Sequence, residues 1–174
     1  MRPSFEKKIC PPGELASRAG GLPRKLAFTN GVFDVLHRGH VTYLAEARAF
    51  GSSLIVALNS DASVRRLGKG DDRPINMLED RMAVIAALEC VSLVTWFEED
   101  TPIERILAAR PDALVKGGDW AIEKIVGGPE VKAWGGSVHA IPFQFERSTT
   151  ATLAKIRTAG LAASVQQAPN QPEK

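Results

Sequence analysis

Short apolar runs alternate with helical patterns through the middle of this chain. Five runs predict strands: Lys25–Thr29, Ser53–Leu58, Ser92–Phe97, Ala113–Lys116 and Ser137–Ile141. They are continuously apolar, which is typical of strands whose two faces are both covered by helices. Helical patterns between the strands indicate parallel neighbours joined by right-handed crossovers. We therefore predict an α/β fold with a doubly wound, parallel, five-stranded sheet.

Start and stop signals place the helices between these strands. The pattern of His40–Phe50 predicts one helix, and that of Leu78–Leu88 predicts another with Asn76 as its N-cap. Thr101 is the predicted N-cap of a third helix, because Pro102 follows at the first helical position and Glu104 at the third. Ser148–Thr158 predicts a last helix that begins at a serine cap. The interval 61–73 is predicted to be a loop.

The two ends of the chain differ in composition from its middle. Residues 1–24 are rich in proline and glycine, so we expect an N-terminal arm with one short helix near Glu14–Arg18. Residues 161–174 are rich in glutamine, proline and charge, which predicts a flexible tail. The predicted division is an arm over 1–24, a single domain over 25–160 and a tail over 161–174.

Composition excludes several classes of protein. Of the 174 residues 44% are hydrophobic, and the net charge is +2, so we expect neither nucleic acid nor a membrane as partner. Two cysteines, Cys10 and Cys90, are too few and too far apart for a disulfide framework and are typical of a reducing compartment. There is no apolar run of membrane-spanning length and no signal-peptide core, so we expect a cytoplasmic protein.

A histidine pair follows the first predicted strand, within the sequence TNGVFDVLHRGH over 29–40. His37 and His40 flank Gly39 at the start of a predicted helix, where imidazole donors, free backbone N–H groups and close backbone approach suit a triphosphate. Zinc would need a third ligand, and His139 is the one other histidine. The other alternative is that His37 and His40 are ordinary surface residues. The clustering favours the phosphate site, with no metal held by the protein.

Two later strand ends carry similar candidates. After the fourth strand, Lys116, Gly118 and Asp119 form either a simple turn or a surface for a nucleobase and its ribose. After the fifth strand, the run Arg147–Thr150 offers hydroxyls and a helix start that suit phosphate, in addition to capping the helix. Because the carboxyl ends of parallel strands meet at one edge, we expect these groups to lie together.

Charged residues follow the second strand. Lys69 and Arg73 flank a glycine in the loop that begins at Asp61, and Arg81 lies on the next predicted helix. They form either a charged surface or a set that closes over an anionic substrate. The dinucleotide fingerprint G-x-G-x-x-G and the P-loop are both absent, which argues against a Rossmann dehydrogenase and a P-loop kinase.

These motifs together resemble the nucleotidyltransferase superfamily marked by H-x-G-H, here His37-Arg38-Gly39-His40, with its Ser/Thr-rich helix start at Arg147–Thr150. Within it, the stretches TNGVFDVLHRGH, NSDASV, RPIN, EDTP and PDALVKGGDW resemble heptose 1-phosphate adenylyltransferases. The resemblance spans about 25–160 and implies a Rossmann-like nucleotidyltransferase fold.

The resemblance implies transfer of AMP from ATP to D-glycero-β-D-manno-heptose 1-phosphate, for lipopolysaccharide core or a related surface polysaccharide. It implies catalytic roles for His37 and His40. The implied nucleotide-binding residues are Thr29, Asn30, Gly31, Phe33, Gly39, Lys116, Gly118, Asp119, Arg147, Ser148, Thr149 and Thr150. The implied acceptor-binding residues are Asp34, Asp61, Lys69, Arg73 and Arg81. Mg²⁺ would accompany ATP, a homodimer is expected, and a separate sugar kinase would act upstream.

Other acceptors and another class of protein stay open at this stage. Cytidylyltransferases of glycerol phosphate share the first motif but usually carry Arg-Thr-Glu-Gly where this chain has Phe143-Gln144-Phe145-Glu146. A transferase that acts on phosphopantetheine is a further alternative. The alternative that is not an enzyme is a nucleotide-sensing module that binds ATP without turnover.

Overall fold

The computed structural model describes residues 3–68, 72–142, 144–145, 149, 151–156 and 158. Its five strands are β1 (Leu26–Gly31), β2 (Ser53–Asn59), β3 (Leu93–Phe97), β4 (Ala113–Gly117) and β5 (Ser137–Ile141). They form one parallel sheet in the order β3-β2-β1-β4-β5. The predicted parallel five-stranded sheet is confirmed.

Six α-helices lie between or before the strands in the part of the chain described up to β5. They are α1 (Leu15–Gly20), α2 (Arg38–Arg48), α3 (Asp61–Arg66), α4 (Leu78–Ala86), α5 (Ile103–Ala109) and α6 (Gly128–Ala133). Three short 3₁₀ helices cover Ser4–Lys8, Pro12–Glu14 and Ile122–Lys124. Thr149 and residues 151–156 and 158 are also helical, whereas the rest of the predicted last helix and the tail lie outside the described residues.

Three local predictions were wrong. The interval 61–73 is not all loop, because α3 occupies its first six residues. Met77 rather than Asn76 is the N-cap of α4, and the amide of Asn76 instead donates to the Asp34 carbonyl at 2.6 Å. Pro102 rather than Thr101 is the N-cap of α5, with no side-chain cap. At Asn76 a tertiary hydrogen bond replaces the local cap that the sequence pattern predicts.

Helices cover both faces of the sheet, as the continuously apolar strands require. One core contains Leu15, Ile106 and Val131 from α1, α5 and α6, packed with Phe28 of β1. The other core contains residues of α2 and α4, including Leu44 and Ile85, packed with Ala27, Val56 and Val115. Neighbouring β1 residues thus face opposite cores, and the sheet is doubly wound.

The residues before β1 pack against the sheet. Ile9 forms a β-bridge with Val94 of the edge strand β3, and the Cys10 N–H donates to the Val94 carbonyl at 2.8 Å. Cys10, Leu15 and Ala19 are buried in the first core. This contact covers an edge that would otherwise expose unpaired backbone groups. The division into arm, domain and tail stays a prediction.

Neither cysteine has the character of a reactive thiol. Cys10 and Cys90 are both unpaired, and burial raises the pKa of each. No helix among the described residues has the length and apolarity needed to cross a membrane.

A buried hydroxyl pair ties α2 to the centre of the sheet. The Tyr43 hydroxyl donates to the Val115 carbonyl at 3.2 Å, so the Thr29 hydroxyl is the donor in its 2.5 Å bond to the Tyr43 oxygen. Thr29 is 0% and Tyr43 4% exposed. Because buried hydroxyls need partners, this chain of bonds determines where the start of α2 sits over β1 and β4.

We predict that Tyr43→Phe lowers the free energy of unfolding by about 1–3 kcal/mol, because the buried Thr29 hydroxyl loses its acceptor. Urea denaturation measures the change. The matched control is the double variant Thr29→Val/Tyr43→Phe, which removes both polar groups and should recover part of that loss. This arrangement would be contradicted if the double variant lost as much free energy of unfolding as the two single variants lose when their losses are added.

Candidate active site

The strand order reverses between β1 and β4, which is where doubly wound sheets bind ligands at their carboxyl edge. The Lys116 amine at the end of β4 donates to the Asn30 side-chain oxygen at the end of β1, at 3.1 Å. Two predicted nucleotide-binding residues therefore meet across the point of reversal.

His37 is the N-cap of α2. Its backbone is extended, with φ −141° and ψ 170°. The His40 N–H donates to the His37 carbonyl at 2.9 Å and more weakly to His37 Nδ1 at 3.4 Å. In neutral His37 an accepting Nδ1 leaves the proton on Nε2. The local capping geometry therefore favours the tautomer with Nε2 as the donor nitrogen, which suits a phosphate ligand.

The two predicted catalytic imidazoles are in direct contact. The His37 and His40 ring centroids are 3.8 Å apart with 17° between the planes, and the Phe33 ring meets the His40 ring edge-on at 5.4 Å. Burial, and secondarily the neighbouring His37, lower the pKa of His40 to about 4 against an opposing effect of the Val35 backbone. His40 is therefore neutral at pH 7 before any anion binds.

Gly39 leaves room for this stack. A Cβ at position 39 would make a tight contact with His37 Nδ1 at 3.1 Å and an ordinary one with the Phe145 carbonyl oxygen at 3.6 Å. The sequence pattern assigned this glycine to close approach of a ligand, and the group that approaches it in the structure is the His37 ring. Phe33 has φ 48°, a left-handed backbone that directs the chain into the histidine turn.

The segment after β5 returns to the histidine turn. The Thr149 hydroxyl donates to the Val35 carbonyl at 3.4 Å, and the Arg38 guanidinium lies 4.0 Å from the Phe145 ring centroid. The structure therefore brings the one described residue of the Ser/Thr-rich motif beside the histidines. Arg147, Ser148 and Thr150 lie outside the described residues, as does Lys69.

The turn after β4 is built by glycine. Gly118 has φ 107°, where L side chains are strained, and its N–H donates to the Ile141 carbonyl at 2.8 Å. The turn directs the Trp120 indole back to the Gly117 carbonyl at 3.2 Å. Asp119 is exposed at this turn, near the end of β4.

The predicted acceptor residues Asp34 and Arg73 pair with each other. Arg73 Nε lies 2.6 Å from Asp34 Oδ2, with the side chains 6% and 0% exposed. The same carboxylate accepts from the Ile75 and Asn76 N–H groups at 2.9 and 2.8 Å. Both charges are therefore satisfied inside the protein, and the pair positions the loop before α4 beside the β1–α2 turn.

Asp61 and Arg81 form a second pair of the same kind. Arg81 Nη2 lies 2.7 Å from Asp61 Oδ1, and the Arg81 side chain is 0% exposed. Arg81 also donates to the Val32 carbonyl at 2.8 Å and the Asn76 carbonyl at 3.0 Å. Acceptor contacts by these residues stay a prediction. The side chain of Thr29, also a predicted ligand contact, is fully buried and bonded to Tyr43.

A cleft of about 450 Å³ opens at the same sheet edge. It shares Asn30, Gly31 and Lys116 with the predicted site. Sequence reasoning missed its other polar and aromatic lining residues, which are Asn59, Phe97, Asp100, Thr101, Trp120 and Lys124. Asn59 and Phe97 end β2 and β3, and Trp120 follows β4. The rule that ligands bind at the carboxyl ends of strands could have identified these three.

A family model described as cytidylyltransferase-like matches residues 28–171 of the chain. The chain is 60% identical over 155 residues to a D-beta-D-heptose 1-phosphate adenylyltransferase of Bordetella bronchiseptica, covering 88% of this chain and 96% of that protein. It is 55% identical over 141 residues to a bifunctional protein HldE of Hahella chejuensis, covering 81% of this chain and 29% of that longer protein.

Solved structures give a similar result. A lipopolysaccharide core biosynthesis protein of Thermoplasma volcanium aligns with a TM-score of 0.56 and 26% identity, over 70% of this chain and 98% of that one. A pantoate-beta-alanine ligase of Francisella tularensis aligns with a TM-score of 0.55 over 81% of this chain and 68% of that one. At 15% identity this second likeness supports the fold alone.

We predict that acid destabilises the protein partly through His40. Its pKa is about 4 in the folded chain and 6.5 without burial, so the unfolded chain binds more protons between these values. The free energy of unfolding therefore falls as the pH drops through this window. Urea denaturation at about pH 7 and about pH 5 should show a smaller loss for His40→Gln than for the wild type. An equal loss would show that His40 titrates normally.

Proposed function

Because the chain belongs to the cytidylyltransferase-like family, we propose that it transfers AMP from ATP to D-glycero-β-D-manno-heptose 1-phosphate, giving ADP-heptose and pyrophosphate. The observation that carries this proposal is high identity with a heptose 1-phosphate adenylyltransferase along nearly the whole of that protein. The stacked histidines at the start of α2, beside the point where strand order reverses, supply a suitable phosphate site.

The reaction is a direct displacement. A phosphate oxygen of the sugar 1-phosphate attacks the α-phosphorus of ATP, a new P–O bond forms, and the bond to the β-phosphate oxygen breaks as pyrophosphate leaves. No proton has to be removed from an ionised acceptor phosphate. Catalysis then depends on positioning and on stabilising the charge that develops.

In this proposal His37 and His40 contact the α- and β-phosphates. The His37 capping geometry leaves Nε2–H as a donor, and the N-terminal end of the α2 dipole adds positive potential. Thr149, together with Arg147, Ser148 and Thr150, would hold the outer phosphates. Asn30, Gly31 and Lys116 lie at the sheet edge between the phosphates and the rest of the site.

In this scheme the buried pairs Asp34–Arg73 and Asp61–Arg81 position the acceptor side of the site, and direct contact of these four residues with the acceptor stays part of the proposal. They hold the β1–α2 turn against the loop before α4 and the start of α3. Lys69 lies between Asp61 and Arg73 in the sequence, outside the described residues, and we propose that it contacts the acceptor.

Mg²⁺ would enter with ATP. Among the described residues no group of three or more His, Cys, Asp or Glu side chains could hold a metal ion, so the donors present suit an ion held mainly by phosphate oxygens and water. The ion would neutralise phosphate charge, while the histidines and the α2 amides orient the phosphates.

We also propose the cellular setting. The acceptor must carry a 1-phosphate before transfer, so we propose that a separate sugar kinase acts upstream. The relative named a bifunctional protein, of which this chain covers 29%, has room for a second activity. The product would supply lipopolysaccharide core synthesis in the cytoplasm. A homodimer is proposed from the family resemblance, and its mass can be measured by light scattering.

Pyrophosphate release tests the proposed function. ATP, CTP, GTP and UTP are each combined with heptose 1-phosphate, glycerol 3-phosphate and phosphopantetheine. We expect release with ATP and heptose 1-phosphate. Release with CTP and glycerol 3-phosphate alone would refute the substrates, and ATP binding without release for any acceptor would favour a nucleotide-sensing module.

We predict that His40→Ala lowers kcat about 10²–10³-fold while the protein stays folded, because it removes a group that stabilises developing charge. The matched control is His139→Ala in β5, a histidine bonded to Ser137 and packed on Phe50 outside the histidine turn. The control should keep wild-type kcat. Circular dichroism checks the fold, and unchanged turnover in folded His40→Ala would refute the assignment.

A further inference from the structure

We propose that the cleft at the carboxyl edge of the sheet holds the sugar of the acceptor, and that Trp120 and Lys124 determine which sugar phosphate is accepted. This inference rests on the proposed function and deepens it. No residue of this cleft outside Asn30, Gly31 and Lys116 belongs to the site that the sequence predicted.

The cleft adjoins the end of β1. Its lining includes Asn30, Gly31 and Asn59, and neither His37 nor His40 lines it. Gly31 connects the cleft to the histidine turn: a Cβ there would be 2.9 Å from the Phe33 ring, which in turn contacts His40. The two places are therefore neighbours, and transfer between two substrates requires such proximity.

Trp120 provides an aromatic wall for a sugar ring. It lines the cleft and is 50% exposed, although large aromatic side chains usually bury most of their surface. Its orientation is set by the hydrogen bond from its indole N–H to the Gly117 carbonyl at 3.2 Å and by the left-handed Gly118. A held, half-exposed indole face suits the C–H face of a pyranose.

The charges in the cleft suit one phosphate group rather than three. Lys116 and Lys124 contribute two cations and Asp100 contributes one carboxylate. The Lys116 amine lies 3.1 Å from Asn30 Oδ1 and 5.8 Å from the Trp120 ring centroid, at the end of the cleft nearest β1. Asn30 belongs to the segment that leads into the histidine turn, so the acceptor phosphate would lie at this end and the sugar would extend toward Lys124.

Other lining residues offer partners for sugar hydroxyls. Asp100 and Thr101 line the cleft, and the exposed Asp100 carboxylate accepts from Arg66 Nε at 2.9 Å. Asn59 adds an amide on the floor. The volume of about 450 Å³ lies within the usual range for small-molecule pockets and accommodates a seven-carbon sugar phosphate.

The test is a comparison of Michaelis constants. Pyrophosphate release is measured with ATP and heptose 1-phosphate for Trp120→Ala, Trp120→Phe and Lys124→Gln. We expect Trp120→Ala to raise KM for heptose 1-phosphate about tenfold while KM for ATP changes less than about twofold. Trp120→Phe should restore most of the loss, and Lys124→Gln should raise KM for the sugar phosphate several-fold. The matched control Lys132→Gln, an exposed lysine on α6, should change neither constant.

Two results would overturn the inference. A rise in KM for ATP with an unchanged KM for heptose 1-phosphate would place the nucleobase against Trp120. Unchanged constants for both substrates in Trp120→Ala and Lys124→Gln would show that the cleft binds neither substrate. Because Trp120 is half exposed, the variants are expected to fold, and circular dichroism verifies this.

Direct binding separates this inference from the proposed function. Calorimetric titration of wild-type protein and Trp120→Ala with heptose 1-phosphate, without ATP, measures occupancy of the cleft alone. Binding that Trp120→Ala abolishes, in a wild-type protein that releases no pyrophosphate, would support the cleft and refute the function. Normal wild-type turnover with an unaltered sugar KM in Trp120→Ala would refute the cleft and leave the function intact.

Discussion

The buried guanidinium of Arg81 joins three separate parts of the chain at the carboxyl edge of the sheet. It pairs with Asp61 at the start of α3 and donates to the carbonyls of Val32 and Asn76. A buried charge without partners is strongly unfavourable, so each of these segments is held where it satisfies the arginine. The Asp34–Arg73 pair constrains the same loops, because Asp34 also accepts from the Asn76 N–H. Val32 lines the cleft and precedes the histidine turn, so this arrangement bears on both.

The end of β1 divides the candidate site into two parts. On one side, His37 and His40 stack at the start of α2 beside Thr149. On the other, the cleft extends from Lys116 to Trp120 and beyond. A displacement at phosphorus needs two anionic groups brought together in line, with little further chemistry from the protein. Two subsites that share one strand end provide that proximity.

Local patterns predicted some elements well and others poorly. The strands were predicted because buried parallel strands are continuously apolar, and β5 has the predicted bounds. Helices α3 and α6 were missed, since six residues are too short to show a helical period. The cap predicted at Asn76 was wrong because its amide bonds to Asp34 instead.

The sequence by itself determined the parallel sheet and the histidine turn, because apolar runs and H-x-G-H spacing act over a few residues. The tertiary structure decided the partners of the charged residues. Asp34 and Arg73 are 39 positions apart, and sequence reasoning assigned both to a substrate. The fold buries them together, and burial makes each the other's necessary partner. The cleft likewise exists only once the ends of four strands meet, since its lining residues are distant in sequence and adjacent in space.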